Sequence, residues 1–269
     1  MSTGYIVDTT GTTAGYNLIP GSTITATGMT DANIARLYNK QKSNVAQAST
    51  NTSTITIDID LGSAYNVDCF AIIGYNFTSA AVVVLKACSA SNFTSCAIDE
   101  TLTLDSTIDQ HIEVWTSAQA YRYWRLTISD TTNTAYPWIG ELVVGEMTTF
   151  THPVTWGLSE DETYNVLTHV TDYGVPWKYY KSKQRGFSNV EFDQRPDDEV
   201  AEFKTFINTS KGSFYPVLFV MDTDNPNVSV YGHITDTMSR TYTFYNYNTF
   251  KNFNIDEQPS AKTLIVNVS

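Results

Sequence analysis

Four histidines, two acidic runs and three cysteines are the residues here whose chemistry could do more than build a fold. His111, His152, His169 and His233 never stand four residues apart, and none joins a His-Glu-x-x-His pattern. His111 and His233 fall in strand-like segments and read as packed or surface residues. The acidic runs are Glu160-Asp161-Glu162 and Asp197-Asp198-Glu199. Carboxylate pairs cleave glycosidic bonds. The second run, however, stands where a helix begins and complements its positive end, and the first reads as a solvated loop. Asp222-Thr223-Asp224-Asn225-Pro226-Asn227 places oxygen ligands at alternate positions but lacks the glycine and closing glutamate of a calcium loop, so it reads as a hairpin turn. Cys69, Cys88 and Cys96 have no metal-type spacing and read as buried thiols, with a Cys88–Cys96 disulfide as the alternative. There is no Gly-x-Ser-x-Gly elbow and no phosphate loop. These residues point to no catalytic centre, metal site or cofactor, and a non-enzymatic protein is expected.

The elements that would position any site are strands. Ile55, Ile57, Ile59 and Leu61 alternate with Thr56, Asp58 and Asp60, the period-two mark of a half-buried strand. Gly62-Ser63 is expected to end it, and Val67 to Ile73 reads as a strand buried on both faces. Ala81 to Ala87, His111 to Trp115, Tyr121 to Ser129 and Trp138 to Glu146 follow as short strands. Composition changes at Met147 to Pro153, which divides the chain into residues 1–148 and 149–269. The second part predicts one helix, from Pro196 to about Asn208, with Val200, Phe203, Phe206 and Ile207 as its apolar stripe. Strands are expected around it at Ser188 to Asp193, Tyr215 to Met221, Val228 to Thr235, Thr241 to Tyr247 and Leu264 to Val268. The fold class is mainly β: a sandwich, then a second β-domain with one packed helix.

Charge narrows the partners. The chain has 269 residues and a formal net charge of −12. Counterion-release binding to nucleic acid needs clustered cations. The densest basic stretch, Lys178 to Arg185, is interleaved with tyrosines and reads as a solvated strand or an interface edge. Met1 to Gly15 is polar and no apolar run approaches a membrane span, so assembly in a cytosol is expected, with no membrane insertion.

Three ordered stretches carry a family resemblance. They are Ile55 to Asp68, with its Asp60-Leu61-Gly62; Gly74-Tyr75-Asn76; and Tyr121 to Ile128, with Tyr123-Trp124-Arg125, followed by Ile139-Gly140-Glu141. Together they resemble the discoidin, or coagulation-factor type C, family (galactose-binding-like) as it occurs in phage and prophage virion proteins. The likeness covers roughly residues 18–148. It implies a jelly-roll sandwich with Trp124, Leu126 and Ile128 facing the core and Tyr123 and Arg125 facing outward. Residues 149–269 resemble tail-tube and distal-tail domains more faintly, at Tyr231-Gly232-His233-Ile234-Thr235.

The resemblance implies a structural component of a phage tail tip or baseplate, located in the virion. Its partners would be other tail proteins and copies of itself, as a hexamer or trimer. The alternative is a host-surface glycan-binding adhesin, and a polysaccharide depolymerase is third. Discoidin-type domains bind glycans through loops at one end of the sandwich. The loop residues that this implies as glycan contacts are Asn39, Lys40 and Lys42, then Tyr75, Asn76 and Phe77, and Tyr136; Trp138 belongs to the core.

Overall fold

A computed structural model describes residues 2–258 apart from 52–53, 107, 155–158, 197–198, 227, 236–238 and 245–246. In the first half the strands are β1 (Gly4–Thr10), β2 (Tyr16–Asn17), β3 (Thr23–Thr27), β4 (Ala46–Gln47), β5 (Ile55–Tyr75), β6 (Val82–Cys88), β7 (Ile98–Leu102), β8 (Gln110–Ser129) and β9 (Trp138–Gly145). One short helical turn, α1 (Asp31–Ile34), lies among them. Then come β10 (Thr148–Thr149), β11 (Ser159–Val170), β12 (Pro176–Pro196), the helix α2 (Val200–Ser210), β13 (Val217–Val220), β14 (Ser229–Ile234), β15 (Ser239–Phe244) and β16 (Tyr247–Glu257). The fold is mainly β, in two sheets.

The first sheet runs β4-β9-β5-β8-β6-β7, with β3 on β5. Ile55, Ile57 and Ile59 from one half of β5, and Phe70 and Ile72 from the other, line one core with Val83, Leu85, Trp124, Leu126, Ile128 and Val144. Each such buried side chain contributes about 1.5–3 kcal/mol. Trp124 is buried there as the motif implied. On the outer face Arg125 forks onto Asp58 (2.5 and 2.7 Å) and Arg122 onto Asp60 (2.6 and 2.8 Å).

Gly62-Ser63 does not end the strand. Gly62 adopts φ +81°, the register with β8 shifts between Asp60 and Tyr65, and β5 continues to Tyr75. A bulge bends the strand there and does not stop it. The two strands expected at His111–Trp115 and Tyr121–Ser129 are likewise one, β8. The denser half of β5 is buried on both faces. Phe70 and Ile72 face the sandwich core, while Cys69, Ala71 and Ile73 face Ile6, Leu218, Val220 and Tyr231 of the second sheet.

The second sheet runs β10-β1-β13-β14-β16-β12-β11. Its member β1 was not expected from a polar, Thr-rich start. Tyr5-Ile6-Val7 is apolar at every position because the strand is covered on both faces: Tyr5 and Val7 pack under α2, and Ile6 meets the first sheet. The first strand of the chain therefore crosses the composition boundary near residue 148, with Tyr5 opposite Phe219.

Helix α2 buries Val200, Phe203 and Phe206, the expected stripe, but it starts later than Pro196, which ends β12 opposite Tyr247. Asp197 and Asp198 lie outside the described residues, as do Asn227 and Leu264 to Val268. The strand expected at Ser188–Asp193 is only part of β12. Glu160-Asp161-Glu162 stands on strand β11, not in a loop. No face of β11 is buried, so its sequence carries no period to read. The turn at Asp222 forms as expected, closed by Asn225 N–H on the Asp222 carbonyl at 3.0 Å. Cys88 and Cys96 are bonded to each other, Cα atoms 4.4 Å apart, which corrects the thiol reading for both, and Cys69 is a buried free thiol. Among the described residues no helix is long and apolar enough to cross a membrane.

Between the sheets lies a polar seam. Asp8 accepts from Tyr231 Oη (2.5 Å) and Asn17 Nδ2 (2.8 Å), yet burial holds its carboxyl above the ordinary range. Glu141 accepts from the Gln41 N–H at 2.6 Å and is pushed up from 4.5 to about 9, first by burial and then by the charge of Asp8. Burial also raises Asp68, to about 6. Such groups stay protonated in the folded chain after the unfolded chain has released its protons, so stability falls as pH rises. The urea midpoint is expected to drop progressively between pH 5 and pH 9, the window set by Glu141. Glu141→Gln should flatten that slope; a variant with the wild-type slope would remove Glu141 as the cause.

Candidate functional site

The loops after β5 and β8 meet at one end of the first sheet, and an aspartate ties them together. Asp130 is buried, and its carboxylate accepts from Thr78 N–H (2.8 Å), Thr78 Oγ1 (2.6 Å), Thr132 Oγ1 (3.3 Å) and Asn133 Nδ2 (3.2 Å). Asn76 makes the second tie. Its Oδ1 accepts from Trp138 N–H at 2.8 Å, its Nδ2 donates to the Tyr136 carbonyl at 3.0 Å, and its own carbonyl accepts from Asn133 Nδ2 at 3.0 Å. Pro137, next in line, accepts from Ala48 N–H at 2.8 Å. Every backbone turn around Tyr136 is thus held, while its ring remains 50% exposed. Exposed Thr131, Thr132 and Thr134 stand in the same loop, and exposed Ser79 in the loop that Asp130 ties to it. An exposed aromatic on fixed backbone, in loops rich in hydroxyls, is suited to a polar ligand that has one apolar face.

Of the expected contact residues, the structure brings Tyr136 and Asn76 together and removes three others. Tyr75 and Phe77 are buried, their rings stacked at 5.1 Å beneath the loop, and Tyr75 Oη donates to the Asp105 carbonyl at 2.9 Å. Burial pushes the Tyr75 hydroxyl pKa up. They support the loop and offer no face to a ligand. Lys42 is also buried, with Nζ 3.0 Å from Asp109 and 2.7 Å from Glu257. A lysine in a polar loop reads as exposed; its acidic partners lie far along the chain and invisible to local pattern. Asn76, with both ends of its amide engaged, is a support for Tyr136.

Asn39 and Lys40 lie elsewhere, on a cleft of about 410 Å³ shared with Ser43, Phe214, His233 and Gln258. Asn39 closes its own turn by accepting from Gln41 N–H at 2.8 Å. Lys40, at φ +66°, lays Nζ 4.7 Å from the Tyr215 ring centre. His233 Nδ1 sits 3.0 Å from the Ser213 carbonyl, and its Nε2 sits 3.0 Å from Gln258 Nε2. These contacts place the ring proton on Nδ1 and make Nε2 the acceptor. A larger groove, about 810 Å³, runs between β8 and the Asp222 turn and is lined by Glu100, Asp105, His111, Glu113 and Asp224. Sequence reasoning missed Asp130, Asn133, Phe214 and Gln258. The Asp-Thr-Thr-Asn run at 130–133 was the available signal, since Asp and Asn close turns with their side chains.

No protein-family model matches the chain, and no curated protein matches it. Solved structures do. A chitosan-binding module of a chitosanase/glucanase from Paenibacillus sp. IK-5 superposes with TM-score 0.40 and 17% identity, covering 48% of this chain and 97% of that one. A family 32 carbohydrate-binding module of Clostridium perfringens NanJ in complex with galactose gives TM-score 0.39 and 15% identity, over 52% of this chain and 98% of that one. A second Clostridium perfringens module, in complex with GalNAc-β-1,3-galactose, gives TM-score 0.40 and 11% identity, over 48% and 99%.

Proposed function

We propose that this chain is a glycan-binding protein without catalytic activity, and that the Tyr136 loop end receives the sugar. The observation that carries the reading is the half-exposed Tyr136 ring on backbone fixed by Asn76 and Asp130. A preorganised aromatic platform loses little freedom on binding. The chitosan and galactose named for the modules above are ligands of those proteins; here they serve as probes. The Cys88–Cys96 bond suits an oxidising exterior, where surface glycans are met.

Calorimetric titration with galactose, GalNAc-β-1,3-galactose and chitotriose, beside a glycan array, tests this. Tyr136→Ala is expected to weaken binding at least tenfold, about 1.4 kcal/mol, with an unchanged melting temperature. Phe214→Ala and Lys40→Ala are expected to bind like wild type. The inverse pattern would move the site to the cleft at Asn39 and Lys40, and no binding to any glycan would end the reading.

A second proposal keeps the tail-tip or baseplate role implied by the resemblance to virion proteins, with other tail proteins as partners. The long exposed hairpin β11–β12 favours it, because such a surface suits assembly. Antibody labelling of virions would show the tail end decorated; unlabelled tails would sink it.

A further inference from the structure

Lys40 and Lys211 converge on one ring. Lys40 Nζ lies 4.7 Å and Lys211 Nζ 5.3 Å from the centre of Tyr215. Two such radii about one centre put the ammoniums at most about 10 Å apart, a Debye length at ordinary ionic strength, so they repel each other. One cation over the ring makes the cation–π contact; the second adds repulsion. Both lysines sit on left-handed backbone, φ +66° and +51°, where glycine or asparagine is usual. That backbone is held. Gln258 Nε2 donates to the Lys40 carbonyl at 2.9 Å, and its Oε1 accepts from Lys42 N–H at 2.9 Å. Beyond Lys211, Gly212 N–H donates to the Ile207 carbonyl at 3.1 Å and Tyr215 N–H to the Ser210 carbonyl at 3.0 Å.

No acid answers the pair. Among the described residues neither ammonium forms an ion pair, although the chain carries a net charge of −12. No Asp or Glu lines the cleft of about 410 Å³ beside Lys40, whereas four carboxylates line the larger groove at the Asp222 turn. Asp8 and Glu141 feel the charge of Lys40, but burial favours the uncharged form of both and they offset little of it.

The side-chain types say which anion fits. A planar carboxylate is best gripped by the two-pronged arginine fork, and no arginine lines the cleft. Lysine ammoniums are point charges, which suit the rounder and more highly charged phosphate. Phe214 lines the same cleft with its ring 67% exposed. That ring stands edge-on to Tyr215, centres 4.7 Å apart, and 5.9 Å from Lys211 Nζ. An exposed aromatic beside two cations offers its face to the carbon side of a sugar whose other side is charged. The volume lies in the range of small-ligand sites, about 300–1,000 Å³.

We propose that the cleft between the 39–43 loop and the 211–216 turn is a second binding site, for a sugar phosphate, with the phosphoryl group held by Lys40 and Lys211 and the sugar resting on Phe214. Calorimetric titration of the full chain in phosphate-free buffer, with glucose 6-phosphate, inorganic phosphate, glucose and glucuronate, tests it. Glucose 6-phosphate should bind at least about tenfold tighter than glucose or glucuronate, and less tightly as salt is raised. Lys40→Asn together with Lys211→Asn removes both charges and suits left-handed backbone, so it should cost at least about tenfold in affinity at an unchanged melting temperature. Phe214→Ala should weaken glucose 6-phosphate and leave inorganic phosphate as it was. Tyr136→Ala should change none of these affinities, so this site and the Tyr136 site can fail separately. Wild-type affinity in the double variant, or no binding of glucose 6-phosphate, overturns the proposal. Glucuronate as tight as glucose 6-phosphate removes the phosphate from it, and inorganic phosphate as tight as glucose 6-phosphate removes the sugar; either result also overturns it.

Discussion

Lys42→Met should lower the melting temperature by on the order of 10 °C. The lysine is buried to 1% exposure between Asp109 and Glu257. Removing one partner of a buried ionic cluster leaves uncompensated charge in low dielectric and costs about 3 kcal/mol or more. In a chain of this size each kcal/mol moves the melting point by roughly 2–4 °C. Arg185, 3.6 Å from Glu257, offers partial relief, and Asp109 keeps most of the cost. The control is Lys86→Met, which breaks the exposed pair with Asp99 (2.8 Å) and should cost under about 1 kcal/mol. Scanning calorimetry of both variants decides it: equal shifts would mean that the Lys42 cluster is solvated and does not join the two sheets.

Phe150→Ala should destabilise by about 3–5 kcal/mol, the range for emptying a buried phenylalanine site. Its ring lies 4.7 Å from Phe192, 5.0 Å from Phe203, 5.8 Å from Phe206 and 5.3 Å from Tyr5. One side chain therefore joins β1, β12 and α2. Phe150→Leu keeps much of the volume and should cost clearly less. Guanidinium unfolding gives both numbers, and an alanine variant within 1 kcal/mol of wild type would show that the second core is organised around other residues.

Much of the first sheet was legible because burial imposes a period. Ile55 to Leu61 alternates with polar residues, and every apolar member is inside. Trp124 and the α2 stripe read correctly for the same reason. Where both faces or neither face is covered, the period vanishes. Tyr5-Ile6-Val7 is sandwiched and β11 is bare, and neither was anticipated as a strand. The bulge at Gly62 was misread as an end because glycine marks both, and only the pairing partner across the sheet distinguishes them.

The candidate site was half legible. Tyr136 stood out as an aromatic in a Thr- and Asn-rich loop, and the structure leaves it half exposed. That Tyr75 and Phe77 would turn inward, and that Lys42 would find Asp109 and Glu257, depended on contacts between residues far apart in the chain. Asp130 belongs to the same class, since its importance lies in reaching across to Thr78.

The placement of β1 has a consequence for how the protein is made. Asp8 leaves the ribosome well before its partner Tyr231, which lies 223 residues downstream. At ordinary synthesis rates that is a delay of roughly 10–45 s. During it, the strand bearing Tyr5, Ile6 and Val7 is apolar and has no β13 to pair with. The sandwich can complete itself within that interval, since its strands are all translated by Gly145. The second sheet closes after the sandwich, around a strand made before it. A nascent chain released before β13 would carry β1 as an open apolar strand, and chaperone engagement should concentrate there.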